Sequence, residues 1–208
     1  MAQFFEIHPD NPQHRLIKQA AEVIHHGGVI VYPTDSGYAL GCHIGDKDAL
    51  QRIRRIRGID EKHYFALVCK DLSEVATYAK VEDSAYRMIK AHTPAPYTFI
   101  LKATKEVPRR LMHPKRKTIG LRVPSNNIAL AILTEIGEPI MNTSLILPDS
   151  SQMLTDAVEI RSQLEKVVDL VIDGGFCGDT PTTVIDFTGQ LPEIVREGAG
   201  PIEDFIET

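Results

Sequence analysis

Apolar residues recur at helical spacing near the start of the chain. Spacings of three and four residues place side chains on one face of a helix. Asn11 and Pro12 stand where a helix entrance is expected, and Gly27 with Gly28 supplies a stop. The pattern therefore predicts a first amphipathic helix. Its apolar face carries Leu16, Ala20, Val23 and Ile24.

A short β-branched run, Val29–Tyr32, follows that helix directly. An apolar run bounded by glycine and proline is typical of a buried strand, so we expect a strand that ends at Pro33. The segment Thr34–Gly37 predicts a tight loop. Asp46 can cap a second helix that ends at Gly58 and turns its arginines toward solvent. The inward positions of that helix are Ala49, Leu50, Ile53 and Ile56.

Helix and strand patterns interleave irregularly along the rest of the chain. Strands are predicted at Phe65–Cys69, Tyr97–Ala103, Ile119–Val123, Ile140–Thr143, Leu170–Asp173, Thr183–Phe187 and Glu193–Arg196. Helices are predicted near Asp83–His92, Asn126–Ile136 and Asp156–Glu165. Strands that follow each other without a helix between them imply antiparallel pairing. We therefore predict an α/β (mixed α+β) fold, a mixed twisted sheet flanked by helices, with residues 1–208 in one domain.

Composition narrows the class of protein. Hydrophobic residues make up 43% of the 208 positions, enough for a core, yet no apolar run approaches the roughly 20 residues that cross a bilayer. The first residues are acidic and polar, unlike a secretory signal, so we expect a cytoplasmic protein without membrane contact. The three cysteines lack a C-x-x-C pair and favour buried reduced thiols. Scattered histidines argue against a tightly bound metal.

Positive charge is concentrated in two stretches although the net charge is −5. Such asymmetry matters more for anion binding than the sum does. The first stretch carries Arg52, Arg54, Arg55 and Arg57. Like charges on one helix destabilise it, which a bound anion would relieve, but a solvated face explains the pattern equally well. The second stretch carries Lys102, Lys105, Arg109, Arg110, Lys115, Arg116, Lys117 and Arg122. Within it, Arg109, Arg110 and Lys115–Lys117 lie in a predicted loop, and loops of this kind often carry function.

Hydroxyl side chains beside predicted strands are the other candidate chemistry. The loop after the first strand lies where ligands dock in αβ folds, but Asp35 and Ser36 in an ordinary turn would look the same. The segments Met141–Leu145 and Pro181–Asp186 add neutral hydrogen-bond donors of the kind that hold a phosphate or carboxylate. The chain lacks the common phosphate-loop, dinucleotide, zinc-protease and serine-hydrolase motifs. No catalytic side chain is therefore assigned.

Seven short motifs occur together in an order more specific than any one of them. They are Pro33-Thr34-Asp35-Ser36-Gly37-Tyr38, Arg55-Ile56-Arg57, Pro96-Tyr97-Thr98-Phe99-Ile100, Leu121-Arg122-Val123-Pro124, Asn142-Thr143-Ser144, Thr182-Thr183-Val184 and Arg196-Glu197-Gly198. In this order and spacing the chain resembles the YrdC/YciO family over residues 8–200. The opening at residues 8–12 and the Asp35-Ser36-Gly37-Tyr38 form of the loop are most similar to the YciO branch.

The resemblance implies a YrdC-like, largely antiparallel mixed sheet with a concave, positively charged cleft. It also implies binding of ATP with Mg²⁺, together with L-threonine and bicarbonate, as in a threonylcarbamoyl-AMP synthase. Such a synthase releases pyrophosphate in the first step toward N6-threonylcarbamoyladenosine in tRNA. Members are also described as binding double-stranded RNA. The reaction needs positioned anions and charge neutralisation at the α-phosphate, and no protein nucleophile.

Transferred onto this chain, the resemblance implies two sets of binding residues. Thr34 would contact the threonine, and Arg55 and Arg57 would face the phosphates and the carboxylate. The nucleotide and substrate pocket would be completed by Thr98, Arg122, Ser144, Thr182 and Arg196. We assign RNA binding, if it occurs, to the basic loop, with the residues Arg109, Arg110, Lys115, Arg116 and Lys117.

Two positions depart from the family pattern. Arg55 stands where the family has lysine, and a planar guanidinium cannot replace a compact ammonium in the same space. Ile146 stands where the Ser-x-Asn motif has asparagine, so the amide is lost. Ile146 either limits synthase activity or is simply a core residue. Three functions therefore stay open: a synthase with low activity or another substrate, a noncatalytic double-stranded RNA-binding module, and an acyl-nucleotide hydrolase or regulator that uses the same cleft.

Overall fold

The computed structural model describes residues 1–60, 65–148 and 150–206, which form six α-helices and an eleven-stranded sheet. The helices are α1 (His14–His25), α2 (Lys47–Arg57), α3 (Leu72–Tyr78), α4 (Asp83–Ala91), α5 (Asn127–Ile136) and α6 (Ala157–Leu164). The strands are β1 (Gln3–Glu6), β2 (Ile30–Thr34), β3 (Gly37–His43), β4 (Ala66–Val68), β5 (Ala79–Lys80), β6 (Tyr97–Ala103), β7 (Thr118–Arg122), β8 (Ile140–Ser144), β9 (Leu170–Asp173), β10 (Thr183–Asp186) and β11 (Glu193–Arg196). Two single 3-10 turns lie at Arg109–Leu111 and Glu203–Phe205.

The sheet confirms the predicted mixed architecture. Its order is β1-β9-β2-β3-β8-β4-β7-β6-β10-β11, and β5 pairs with the far end of β6. Four pairings are parallel (β1/β9, β2/β9, β4/β7 and β6/β10), and the other six are antiparallel. The direct succession of β6 and β7, and of β10 and β11, gives antiparallel pairs as expected.

The two faces of the sheet are covered unequally. One face packs against α2, α3, α4 and α6 in a core that extends from β2 to β10. On the other face, α1 and α5 pack over β2, β9 and the start of β8. Among the described residues, no helix continues this cover across β4, β7, β6 and β10. Side chains alternate between the faces of a strand, so alternate positions of these strands face an open concavity.

Cap residues define the second helix as the sequence predicts. The Asp46 side chain accepts a hydrogen bond from the Ala49 backbone N–H (2.8 Å), and Gly58 ends α2 in the left-handed conformation with φ 60°. The expectation that all its arginines face solvent is wrong. Arg54 and Arg57 are half-buried, and the Arg54 guanidinium lies over the Phe65 ring at 5.5 Å.

Several strand and helix predictions need correction. β2 continues through Pro33 to Thr34. Its parallel ladder with β9 involves only Ile30 and Val31, so the missing backbone N–H of Pro33 breaks no hydrogen bond of that ladder. The glycine- and alanine-rich segment after the hairpin turn is the strand β3, which is buried on both faces and therefore shows no polar alternation. β1, α3 and β5 were not predicted, since each is too short for a periodic signal.

The described helices give no membrane span. None of them combines the length and the apolar content that crossing a bilayer would require.

Candidate functional site: a cleft on the open half of the sheet

A cavity of about 700 Å³ lies on the open half of the sheet. Its floor includes Asn142 of β8, Ala66 of β4, Gly120 of β7 and Ile100 of β6, which are successive partners across the strands. A methyl group at Gly120 would lie 3.0 Å from the Thr98 methyl carbon. Small side chains at the centre therefore create the concavity, in the size range of small-molecule sites.

Arg122 is the most buried cation of the cleft. Its guanidinium pairs with the Asp35 carboxylate from the β2–β3 turn, and the two side chains are only 3% and 8% exposed. The other Asp35 oxygen accepts the Ser125 backbone N–H at 2.9 Å. The buried Nε of Arg122 has no hydrogen-bond partner in the described part of the chain. A donor is therefore left over beside the cavity.

Arg196 and two threonines form a second polar group in the cleft. The Arg196 guanidinium donates to the Thr182 carbonyl at 2.7 and 3.1 Å, and the hydroxyls of Thr182 and Thr98 lie 2.8 Å apart. Burial lowers the pKa of Arg196, and the charge of Arg122 lowers it further. In the described chain no carboxylate pairs with Arg196, so its charge is balanced only by carbonyl and hydroxyl dipoles.

Arg57 enters the cleft from the end of α2. Burial lowers the pKa of its guanidinium, and its buried Nε has no described hydrogen-bond partner. Two residues along a helix correspond to a rotation of about 200°, so the two side chains point to nearly opposite sides. Arg55 accordingly lies outside the cleft, exposed in a separate groove with Arg52 and Lys166.

The described residues of the basic loop divide into two groups. All five candidate RNA-binding residues are exposed. Arg116 nevertheless reaches the cleft and pairs with Asp186, and Arg110 donates to the carbonyl oxygens of Ile44 and Gly45. Burial raises the pKa of Asp186, but hydrogen bonds from Thr188 and Arg116 bring it below its usual value. The side chains of Arg109, Lys115 and Lys117 have no described partner.

The hydroxyl of Thr34 is used within the β2–β3 turn. It donates to the Gly37 carbonyl (2.6 Å) and accepts the Ser36 backbone N–H (3.2 Å). Thr34 is 1% exposed and does not line the cavity, so its placement differs from the one that the resemblance implies. The same turn carries Asp35, whose carboxylate pairs with Arg122, a lining residue of the cleft.

A second polar cluster, His25, His43 and Glu138, lies outside the cleft with its possible metal-ligating atoms within 4.8 Å of one another. The Nδ1 of His43 accepts the Gly45 backbone N–H at 2.9 Å. The ring proton of neutral His43 is then on Nε2, which donates to Glu138 at 2.6 Å. Metal ligation through Nε2 would require the proton to move to the side of Gly45, so this geometry favours a hydrogen-bonded pair.

A family model described as "Telomere recombination", for Sua5, YciO and YrdC proteins, matches residues 22–198. The chain belongs to this family. Over 206 residues it is 60% identical to the uncharacterized protein YciO of Escherichia coli (strain K12), covering 99% of this chain and all of YciO. It is 27% identical to a threonylcarbamoyl-AMP synthase of Halorhodospira halophila over 172 residues, or 82% of this chain and 89% of the synthase.

Solved structures of the Sua5/YciO/YrdC family share this fold. The crystal structure of E. coli YciO matches with a TM-score of 0.96 at 60% identity, covering 99% of this chain and all of that one. The structure of P. abyssi Sua5 complexed with L-threonine matches with a TM-score of 0.88 at 25% identity, covering 97% of this chain and 59% of the Sua5 chain. The predicted family and fold are therefore confirmed.

The cleft gathers most of the residues chosen by family resemblance. Arg57, Thr98, Arg122, Ser144, Thr182 and Arg196 line it, whereas Thr34 and Arg55 do not. Sequence reasoning missed Asn142 and Thr118 as lining residues. Asn142 shares the strand and face of Ser144, so a period-two reading of β8 could have found it.

Proposed function

We propose that the cleft binds ATP and catalyses adenylate formation of the threonylcarbamoyl-AMP synthase type. The observation that supports this is the convergence of Arg57, Arg122 and Arg196 with the hydroxyl-bearing residues Thr98, Ser144 and Thr182 around one cavity. Guanidinium groups and neutral donors are what a triphosphate and a carboxylate require. The Sua5 complex with L-threonine and the related synthases support the same substrate class.

The proposed reaction depends on positioning bicarbonate, the carbamate and ATP, and it uses no protein nucleophile. The amino nitrogen of L-threonine attacks the carbon of bicarbonate, water leaves, and a carbamate forms. A carbamate oxygen then attacks the α-phosphorus of ATP, and the bond to pyrophosphate breaks. Arg57 and Arg196 would neutralise charge on the phosphates, and the partial burial of Arg57 strengthens its effect by excluding water.

Mg²⁺ fits this site as part of the substrate. Asp60 is the only carboxylate among the described lining residues; the polar remainder consists mainly of guanidinium, hydroxyl and amide groups. Mg²⁺ is commonly held by one or two carboxylates together with substrate phosphates. We therefore propose that Mg²⁺ enters with ATP and that this chain holds no tightly bound metal of its own.

Mass spectrometry of the products tests the proposed function. The protein is incubated with ATP, Mg²⁺, bicarbonate and L-threonine, and we expect threonylcarbamoyl-AMP and pyrophosphate in equal amounts. Arg196→Gln should reduce both, whereas Arg161→Gln, which alters a guanidinium over the Phe4 ring outside the cleft, should not. If the protein forms no product and binds no ATP at millimolar ligand, the proposal is contradicted. Cleavage of added threonylcarbamoyl-AMP without its synthesis would favour a hydrolase.

Ile146→Asn should raise threonine-dependent pyrophosphate release. Ile146 lines the cleft beyond Ser144, so an amide at this position reaches the ligand where the parent offers hydrocarbon. One added hydrogen bond is worth about 1 kcal/mol, which corresponds to an increase of about fivefold. Ile146→Val is the control, because it keeps an aliphatic side chain, and thermal melts monitor folding. A folded Asn variant with parental turnover would identify Ile146 as a packing residue.

Double-stranded RNA binding is a second candidate function, favoured by the exposed basic loop. We expect the unpaired side chains of Arg109, Lys115 and Lys117 to contribute more than Arg110 and Arg116, which already have partners in the protein. Changing the first three to Ala should lower affinity across unrelated sequences. It should also reduce the slope of log affinity against log salt by up to about 0.9 per lost phosphate contact on a B-form duplex, and by a similar order on RNA.

Exposed Arg15 and Lys18 on α1, together with exposed Arg87 on α4, provide the control for the RNA experiment, since three positive charges are removed in both variants. Changing them to Ala removes positive charge from a different surface, so general loss of charge is separated from loss of the basic loop. Equal losses in the two sets of variants would place RNA binding elsewhere.

A further inference from the structure

Asn142 places an amide group on the floor of the cleft. The residue is 4% exposed, and its backbone is paired with Gly41 of β3 and Ala66 of β4. Ala66 is paired in turn with Gly120 of β7. The two floor positions beside the amide thus carry a methyl group and a hydrogen atom. These small groups leave room for a ligand to approach the amide directly.

Tyr32 fixes the orientation of this amide. The Nδ2 of Asn142 donates to the Tyr32 hydroxyl at 2.7 Å, and the tyrosine side chain is completely buried. Burial raises the pKa of Tyr32 to about 12, so the phenol stays neutral and the contact persists across physiological pH. The Oδ1 of Asn142 accepts no hydrogen bond from the described residues. A lining residue with one end of its amide held presents the other end, an acceptor, to the ligand.

Arg122 lines the same cavity as Asn142. It lies two residues beyond Gly120 on β7, on the same face of the sheet, and Gly120 pairs through Ala66 with Asn142. A guanidinium matches a carboxylate, and an amide oxygen matches an N–H donor. An α-amino acid carries both groups on adjacent atoms. The Arg122 guanidinium therefore matches its carboxylate, and the Asn142 amide oxygen matches its amino group.

We propose that Asn142 is a specificity-determining residue, which selects an α-amino acid by accepting a hydrogen bond from its amino group. This rests on the proposed function, because it assumes that the amino-acid substrate occupies the Arg122 end of the cleft. Tyr32 acts through Asn142 as a positioning residue. Asn142 also supplies the cleft with an amide from the same strand that leads to Ile146, where the family motif has its asparagine.

Calorimetric titration with two ligands tests this assignment. L-Threonine and 3-hydroxybutanoate share a carbon chain, a hydroxyl and a carboxylate, but only L-threonine has the amino group. We expect the parent protein to bind L-threonine at least about tenfold more tightly, the value of one hydrogen bond to a charged group. Asn142→Leu should abolish this preference and leave ATP affinity within about twofold. Tyr32→Phe should reduce the preference less, because the amide remains but can rotate.

Asn11→Leu is the matched control, since it makes the same change at an exposed position that does not line the cavity. Loss of an amide on the surface should leave both affinities unchanged. A folded Asn142→Leu protein that still prefers L-threonine overturns the assignment, and so does an unchanged preference in Tyr32→Phe if the leucine variant does not fold. A parent protein that binds ATP but binds L-threonine no more tightly than 3-hydroxybutanoate also overturns it. A parent that binds neither contradicts the proposed function itself, and the assignment fails with it.

Discussion

Asp35→Ala should lower the free energy of unfolding by about 3–5 kcal/mol, because it leaves the buried Arg122 guanidinium without its counter-charge. The two side chains are 8% and 3% exposed, so water cannot solvate the charge that remains. The substitution also removes the acceptor of the Ser125 backbone N–H. Urea unfolding followed by circular dichroism measures the change.

The double variant Asp35→Ala/Arg122→Met separates the charge effect from lost packing. Removing both members of a buried ion pair costs far less than removing one, so the double variant should recover most of the stability. If Asp35→Ala costs less than about 1 kcal/mol, the pair is not desolvated as its burial indicates. Equal stability of the single and double variants would likewise contradict the charge explanation.

The sequence predicts the long elements well because their signals are local. In α2, the apolar spacing, the Asp46 cap and the left-handed Gly58 all agree, and the helix lies where these signals place it. β3 was missed because its glycines and alanine are enclosed on both faces, which removes the alternation that identifies a strand. The pairing of β1 with β9 joins distant parts of the chain and leaves no local pattern at all.

The family motifs predict part of the candidate site, because several motif residues occupy strand positions that face the cleft. Thr98, Arg122 and Ser144 lie on the open face of the sheet, as their place in the motifs implies. The motifs do not record which acid pairs with which base. The contact between Asp35 and Arg122 spans 87 positions, and the contact between Arg116 and Asp186 spans 70. Only the folded sheet brings these partners together.

Arg57→Gln should raise the dissociation constant for ATP about 10- to 100-fold, whereas Arg55→Gln should change it less than about twofold. The two arginines belong to one Arg-x-Arg motif, yet the helix turns them in opposite directions, Arg57 into the cleft and Arg55 into a separate groove. Arg57 has a buried Nε without a described partner, and burial lowers the pKa of its guanidinium. A phosphate would supply the missing partner and the opposite charge.

The pair of variants forms its own control, because both remove one positive charge from the last turn of α2. Long-range attraction of ATP is reduced almost equally by the two changes, so a difference between them reports direct contact. Titration at two salt concentrations checks this, since screening weakens the long-range contribution and preserves the contact. Equal losses of affinity would show that α2 attracts ATP only through its overall charge. A larger loss of ATP affinity for Arg55→Gln would place the phosphate site in the groove beside Lys166 and would contradict nucleotide binding in the cleft.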